Sequence, residues 1–183
     1  MSGFDEKKLK KVVKEGGKRG IEILGVAEMG GLEFFCTKVD EPEGDVGLLV
    51  ESMKAMNAEI DPTEEERRGG SAGVGKMIFS VNNEKLAIVS YVPKDKADKI
   101  NIKEWTEHVL GLFDGKLLSV EGDLATGEIA ADPEKGKFTL KMRDEAIPAS
   151  IAYLRSKGLF PEAEEEDSDD DLVFGDDTNF DEY

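Results

Sequence analysis

Residues 77–93, with the sequence MIFSVNNEKLAIVSYVP, most strongly constrain what this chain can fold into. Two runs rich in β-branched and aromatic residues flank a short polar turn that contains Asn82 and Asn83. This pattern is typical of a β-hairpin. The second run is almost continuously apolar, as expected for a strand covered on both faces, and Pro93 marks its end. The sequence therefore predicts a sheet built around this hairpin.

The part of the chain before this hairpin has alternating helical and strand patterns. The predicted elements are a helix over 4–15, strands over 21–27 and 32–39, and a helix over 46–57. Gly16 and Gly17 are expected to end the first helix, because glycine readily adopts the left-handed conformation of a helix stop. The two strands are separated by the glycine turn at Gly30, so a second hairpin is expected there. Asp45 is a candidate N-cap for the next helix.

The part after the hairpin is expected to cover and extend the sheet. The predicted elements are a helix over 102–113, short strands or a meandering segment within 114–140, and a final helix over 144–157. Asn101 followed by Glu104 is typical of a helix start. Trp105 lies on the apolar face of this helix and is expected to pack on the sheet. The predicted fold class is α/β (α+β), with a single mixed sheet and a central hairpin covered by helices.

The charge of the chain is unevenly distributed. The formal net charge is −17, and residues 161–183 contain twelve acidic residues but no Lys or Arg. Residues 1–160 therefore hold 29 acidic and 24 basic residues. A block of like charge cannot collapse. We predict one α/β domain over 1–160 and a disordered acidic C-terminal tail over 161–183.

The acidic tail contains apolar and hydroxyl residues that suggest recognition. Apolar side chains among acids suit a segment that docks on a basic, partly apolar partner. The candidate docking residues are Leu172, Val173, Phe174 and Phe180. Ser168 and Thr178 are followed by acidic residues and are candidate phosphorylation sites. The alternative is a tail that only increases solubility.

The N-terminal helix carries a concentration of basic residues. The candidate RNA contacts are Lys7, Lys8, Lys10, Lys11, Lys14, Lys18 and Arg19. Such a face either is simply solvated or contacts phosphate groups. The sequence alone leaves both interpretations open.

Several catalytic and compartment classes are disfavoured. Cys36 and His108 are the only residues of their types, so a zinc site, an internal disulfide and a Cys–His pair are not expected. Residues 70–76, GSAGVGK, partly match a phosphate loop, but a strand is predicted after them instead of a helix. We expect no enzyme activity, cofactor, metal or small-molecule substrate. We expect neither a signal peptide nor a membrane span, and therefore a cytoplasmic location, with the nucleus as the alternative.

The order of elements from about residue 4 to 158 resembles a known family. The similar segments are FFCTKV, DVGLLVESMKAMN, KMIFSVNNEKLAIVSYVPKD, INIKEWTEHVLGLFDGK and DEAIPASIAYLRSK. This order resembles the C-terminal domain of alanyl-tRNA synthetase, which is shared with DHH-type phosphoesterases. The glycine-rich signature of that family is degenerate here, where the chain continues as FDGKLLSVEGDLATGEIAADPEKGK.

The resemblance implies a mixed α/β domain that binds tRNA or bridges other domains. We therefore expect a non-catalytic binding module associated with tRNA or with a translation-related protein complex. The alternative is a protein-interaction adaptor that docks through its acidic tail and has no role in RNA binding.

Overall fold

The computed structural model describes residues 6–63, 65 and 67–160. Its helices and strands are α1 (Glu6–Gly30), β1 (Phe34–Lys38), α2 (Val46–Asn57), β2 (Gly75–Val81), β3 (Lys85–Tyr91), α3 (Ile102–Gly111), β4 (Lys116–Glu121), β5 (Leu124–Ala130) and α4 (Thr139–Ser156). The predicted fold class, a mixed sheet with helices, is confirmed. Within the described residues, every helix is too short or too polar to span a membrane.

One five-stranded sheet has the strand order β1-β2-β3-β5-β4. The predicted central hairpin is confirmed, because β2 and β3 pair antiparallel with Ile78 opposite Val89. Antiparallel pairing continues from β3 to β5 and from β5 to β4, which confirms strands within 114–140. Strand β3 is buried along nearly its whole length, because it has a neighbour on each side and helices over both faces.

Helices cover the two faces of the sheet and form two hydrophobic cores. On one face, α3 and α4 pack against the sheet, and the largest buried side chain of this core is Trp105. On the other face, α2 packs against the sheet through residues such as Met53, and α1 packs mainly against α2. The α1 helix is therefore the outermost layer of the second face, with one side free to contact solvent.

The prediction that Gly16 and Gly17 end the first helix is wrong. The α1 helix continues to Gly30, and the predicted strand over 21–27 is helical. The glycines are needed for close packing: a Cβ at Gly16 would lie 2.5 Å from the carbonyl oxygen of Ser52. The residue that stops the helix is Gly31, directly after its last residue, with a positive φ of 70°.

The second predicted hairpin is also wrong, because its first strand does not exist. Strand β1 pairs with β2, and the two strands are parallel, with Cys36 opposite Met77. Helix α2 lies between them in the chain and forms the crossover that a parallel pair requires. The predicted helix 46–57 and its cap are confirmed, since the Asp45 Oδ1 atom accepts a hydrogen bond from the Leu48 N–H at 3.0 Å.

The two later helices match their predictions to different degrees. Helix α3 starts as predicted, because the Asn101 side chain accepts a hydrogen bond from the Glu104 N–H at 3.0 Å. Helix α4 starts at Thr139, five residues earlier than predicted, and Met142 extends its buried stripe. Pro148 consequently lies in the middle of α4.

We expect opposite effects from two glycine-to-alanine substitutions in α1. In Gly25→Ala, a Cβ meets nothing within 4 Å, so the higher helix propensity of alanine should raise the free energy of unfolding by about 0.5–1 kcal/mol. In Gly16→Ala, the clash with the Ser52 carbonyl should outweigh that gain and lower the free energy of unfolding by about 1–3 kcal/mol. Unfolding of each variant in urea measures the change. Equal stabilisation by the two variants would contradict the close contact between α1 and α2.

Trp105 should be among the residues whose loss destabilises the fold most. Its ring is fully buried, lies edge-on to Phe34 at 6.0 Å between centroids, and its Nε1–H donates to the Ser150 carbonyl at 3.2 Å. We expect Trp105→Ala to lower the free energy of unfolding by about 3–5 kcal/mol. Trp105→Phe retains most of the apolar volume and should cost clearly less. An unchanged thermal midpoint for the alanine variant would show that α3 does not face the core.

Candidate nucleic-acid interface

The N-terminal half of α1 presents lysines to solvent along one side. Val12, Gly16, Gly17 and Gly20 are buried, and the opposite side of this half of the helix faces solvent. The exposed basic residues of this side, here called the α1 basic strip, are Lys7, Lys10, Lys11, Lys14 and Lys18. The structure therefore places five of the seven candidate RNA contacts on an open surface.

The other two candidates are engaged in ion pairs. Lys8 Nζ lies 2.7 Å from Glu43 Oε1, and this contact holds the pKa of the Glu43 carboxyl below its ordinary value. Arg19 Nη1 lies 3.0 Å from Glu22 Oε1, one turn further along α1. Pairing with a carboxylate reduces the charge that a residue can offer to a phosphate. Lys8 and Arg19 are therefore weaker candidates than the lysines of the strip.

The lysines at the centre of the strip are not neutralised in this way. In the described part of the chain, Lys10, Lys11, Lys14 and Lys18 have no carboxylate oxygen within 4 Å. A lysine ammonium in this state keeps all three of its donors for solvent or for an anion.

A groove of about 320 Å³ runs beside the strip. Its lining residues are Lys11, Lys14, Glu15, Lys18, Arg19, Glu22 and Glu41. Glu15 has a structural role here, because its two oxygens accept the N–H groups of Asp40 and Glu41 at 2.9 and 3.0 Å. This carboxylate fastens α1 to the loop after β1 and is held by the backbone instead of by lysines. Two of the three acids in the groove are thus engaged, Glu15 with backbone N–H groups and Glu22 with Arg19.

A second groove continues the basic surface and adds a residue that the sequence analysis missed. Lys18, Ile21, Glu22 and Arg67 line it. Arg67 comes from the loop between α2 and β2, which is distant from α1 in sequence. The only sequence signal was the Arg67-Arg68 pair inside an acidic stretch. The contact of this loop with α1 brings the arginine to the end of the strip.

Lys76 is a second basic residue that the sequence analysis did not select. Its side chain is fully buried, and its Nζ donates to Asn57 Oδ1 at 2.6 Å and to the carbonyls of Ser71 and Val74 at 2.6 and 2.9 Å. The ammonium also lies 4.7 Å from the centroid of the Tyr91 ring. This lysine belongs to the GSAGVGK pattern, but its amine points into the body. It fastens the glycine-rich loop to the end of α2 and has no donor left for a nucleotide phosphate.

Burial lowers the pKa of the Lys76 amine to about 7, from an ordinary value of 10.5, because desolvation disfavours the charged form. The three oxygen acceptors offset part of this cost. Between pH 7 and 10.5, the unfolded chain retains a proton on Lys76 that the folded chain has released. Raising the pH through this range therefore favours the folded state.

We predict that the free energy of unfolding rises between pH 7 and pH 9 by up to about 1 kcal/mol per pH unit from this residue. The matched variant is Lys76→Met, which keeps the aliphatic stem but cannot titrate. Denaturant unfolding at several pH values should give a steeper rise for the native sequence than for the variant. Equal slopes would show that Lys76 has an ordinary pKa in the fold.

The remaining candidates lie away from the strip or outside the described residues. His108 is exposed in α3, and its ring centroid lies 4.9 Å from that of Tyr153. Cys36 is buried, and this burial raises the pKa of its thiol to about 12. Among the described residues, no three His, Cys, Asp or Glu side chains group as a metal site. The tail candidates Leu172, Val173, Phe174, Phe180, Ser168 and Thr178 lie outside the described residues.

Comparison with known proteins gives weak similarities. No protein-family model and no curated protein matches the sequence. The fold is similar to the C-Ala domain of alanyl-tRNA synthetase from Aquifex aeolicus, with a TM-score of 0.38, 22% identity, and coverage of 62% of this chain and 89% of that domain. It is also similar to the catalytic domain of the histidine kinase ThkA, with a TM-score of 0.22, 14% identity, and coverage of 70% and 95%. Neither similarity identifies a ligand or an activity.

Proposed function

We propose that this protein is a non-catalytic binding module that contacts the phosphate backbone of a folded RNA, such as tRNA, through the α1 basic strip. The observation that carries the proposal is the row formed by Lys10, Lys11, Lys14 and Lys18 on α1, which have no carboxylate partner in the described part of the chain. From Lys10 to Lys18 the helix rises about 12 Å. A nucleic-acid strand presents one phosphate per ~3.4 Å of axis, so this row matches roughly three to four phosphates.

The overall negative charge does not prevent local phosphate binding. Residues 1–160 are only mildly acidic, with 29 acidic and 24 basic side chains. At physiological salt, exposed charges are largely screened beyond about 8–10 Å. An RNA backbone close to α1 therefore interacts mainly with the strip and with Arg67. The long-range field lowers the rate of encounter more than the strength of the contact.

The composition of the surface favours a structured RNA over a single strand. The side chains that line the two grooves are charged or aliphatic and include no aromatic ring. Proteins that hold single strands usually stack bases on aromatic side chains. Lysines contact phosphates without reading bases, and they therefore recognise the shape of a folded backbone.

The nature of the isolated titratable groups supports a non-catalytic role. Cysteine attacks as a thiolate, and the pKa of the Cys36 thiol, near 12, keeps it protonated. The exposed ring of His108 contacts Tyr153, which is not a partner that would make it a general base for a nucleophile. Binding is thus the function that the described residues support best.

Two matched triple variants test the proposal by binding to tRNA at several salt concentrations. Lys11→Gln/Lys14→Gln/Lys18→Gln removes the centre of the strip. It should reduce the slope of log K against log salt by about 2–3, because each lost phosphate contact contributes roughly 0.7–0.9. Lys103→Gln/Lys116→Gln/Lys141→Gln makes the same change in net charge at exposed positions elsewhere. This control should leave the slope almost unchanged.

Equal effects of the two triple variants would show that binding follows net charge and not the strip. Negligible binding of tRNA by the native chain at low salt would remove the RNA proposal. The adaptor function through the acidic tail would then be the better explanation of this chain.

A further inference from the structure

We infer that the α1 basic strip is also the docking surface for the acidic tail, residues 161–183, of the same chain. The inference deepens the proposed function, because the tail then competes with RNA for the same lysines. The docking itself does not depend on RNA. It is argued from where the described chain ends, from the length that follows and from the charges of the two segments.

The described chain ends beside the C-terminal end of α1. After α4, the Leu159 N–H donates to the Leu154 carbonyl at 2.9 Å, which turns the chain back, and the Arg155 guanidinium lies 5.5 Å from the centroid of the Phe160 ring. Leu159 and Phe160 line a groove of about 530 Å³ together with Gly30 and neighbouring residues. The tail therefore begins next to the last turn of the helix that carries the strip.

The distances match when the tail runs antiparallel to α1. Along the helix, Lys18 and Lys11 lie about 18 and 29 Å from Gly30, at 1.5 Å per residue. An extended chain advances about 3.3 Å per residue, so residues 167–171 reach roughly 23–36 Å beyond Phe160. The segment DSDDD thus falls opposite the centre of the strip. Residues 162–166 reach only about 7–20 Å, which is short of most of the strip.

The charges of these two segments are complementary. Four aspartates lie within five residues of the tail, namely Asp167, Asp169, Asp170 and Asp171. Opposite them are Lys10, Lys11 and Lys14, which have no carboxylate partner in the described part of the chain. A tail tethered at the end of α1 also has a high effective concentration at the strip. Intramolecular docking is therefore favoured over docking to a separate acidic protein.

Docking of the tail would set the apparent affinity for RNA. If the docked form makes up about 90% of the molecules, the apparent affinity is about tenfold lower than that of a free strip. Ser168 lies inside the aspartate cluster, and its phosphorylation would add roughly 1.5–2 negative charges opposite the lysines. Phosphorylated protein should therefore bind RNA more weakly than unmodified protein.

A spin label on the tail tests the docking without RNA. In the full chain carrying Ser168→Cys, the label reacts at the added cysteine, because Cys36 is buried and its thiol has a pKa near 12. We expect paramagnetic broadening of the NMR signals of α1 amides between residues 10 and 19, and not of β4 amides. Replacing the four aspartates of 167–171 by asparagine should remove the broadening. The matched control, glutamine at Glu162, Glu164, Glu165 and Glu166, changes the net charge equally and should retain most of it.

The outcomes separate the docking from the proposed function. Broadening confined to the strip, lost in the aspartate variant and independent of protein concentration, supports the inference. Absent broadening, broadening at another surface, or broadening that grows with concentration overturns it, the last because the tail then binds a second copy.

RNA affinity measured on the same variants gives the second readout: the aspartate variant should bind tRNA about tenfold more tightly. Unchanged tRNA affinity in that variant contradicts the competition. Loss of tRNA binding in the Lys11/Lys14/Lys18 variant would still support the proposed function.

Discussion

The close packing of α1 on α2 is the constraint on which the rest of this surface depends. A side chain at Gly16 or Gly20 would collide with the carbonyl oxygens of Ser52 and Met56, so the two helices can approach only with glycine at these positions. The loop after α2 is fastened to the same place, because the Gly69 N–H donates to the Gly17 carbonyl at 2.8 Å. Three segments distant in sequence thus meet there. Their meeting orients the lysines outwards and brings Arg67 to the strip.

The elements that could be predicted from the sequence are those whose signals are local. The hairpin of β2 and β3 follows from two apolar runs around a polar turn, and the caps at Asp45 and Asn101 are satisfied within their own helices. Each of these features needs contacts among neighbouring residues only, so tertiary packing does not change their meaning. The covering of both faces of the sheet by helices followed from the continuous apolar character of β3.

The wrong predictions concern residues whose structure is determined by tertiary packing and not by the local sequence pattern. Gly16-Gly17 matches a helix stop, but here glycine serves the contact between helices, and Ile23 and Ala27 are buried at helical spacing and not at strand spacing. The candidate site shows the same limit. The lysines could be named from composition, but their pairing could not, because Lys8 meets Glu43 only through the fold. Lys76 was missed because its three oxygen partners come from two different segments.

The position of the lysines on α1 is unfavourable for the helix itself. The N-terminal end of a helix carries a partial positive charge, and cations near it cost about 0.3–1 kcal/mol each at low salt. In α1 the first turn has one acidic residue, Glu6, the last turn has no basic residue, and the lysines are concentrated towards the positive end. The ion pair of Lys8 with Glu43 relieves only one of these charges. Beyond the first turn the cost is repulsion between lysines, because like charges four residues apart, such as Lys10, Lys14 and Lys18, destabilise a helix by about 0.2–0.5 kcal/mol per pair. An anion bound along the strip, whether an RNA backbone or the aspartates of the tail, would relieve this repulsion, and the free energy gained adds to the affinity for either ligand.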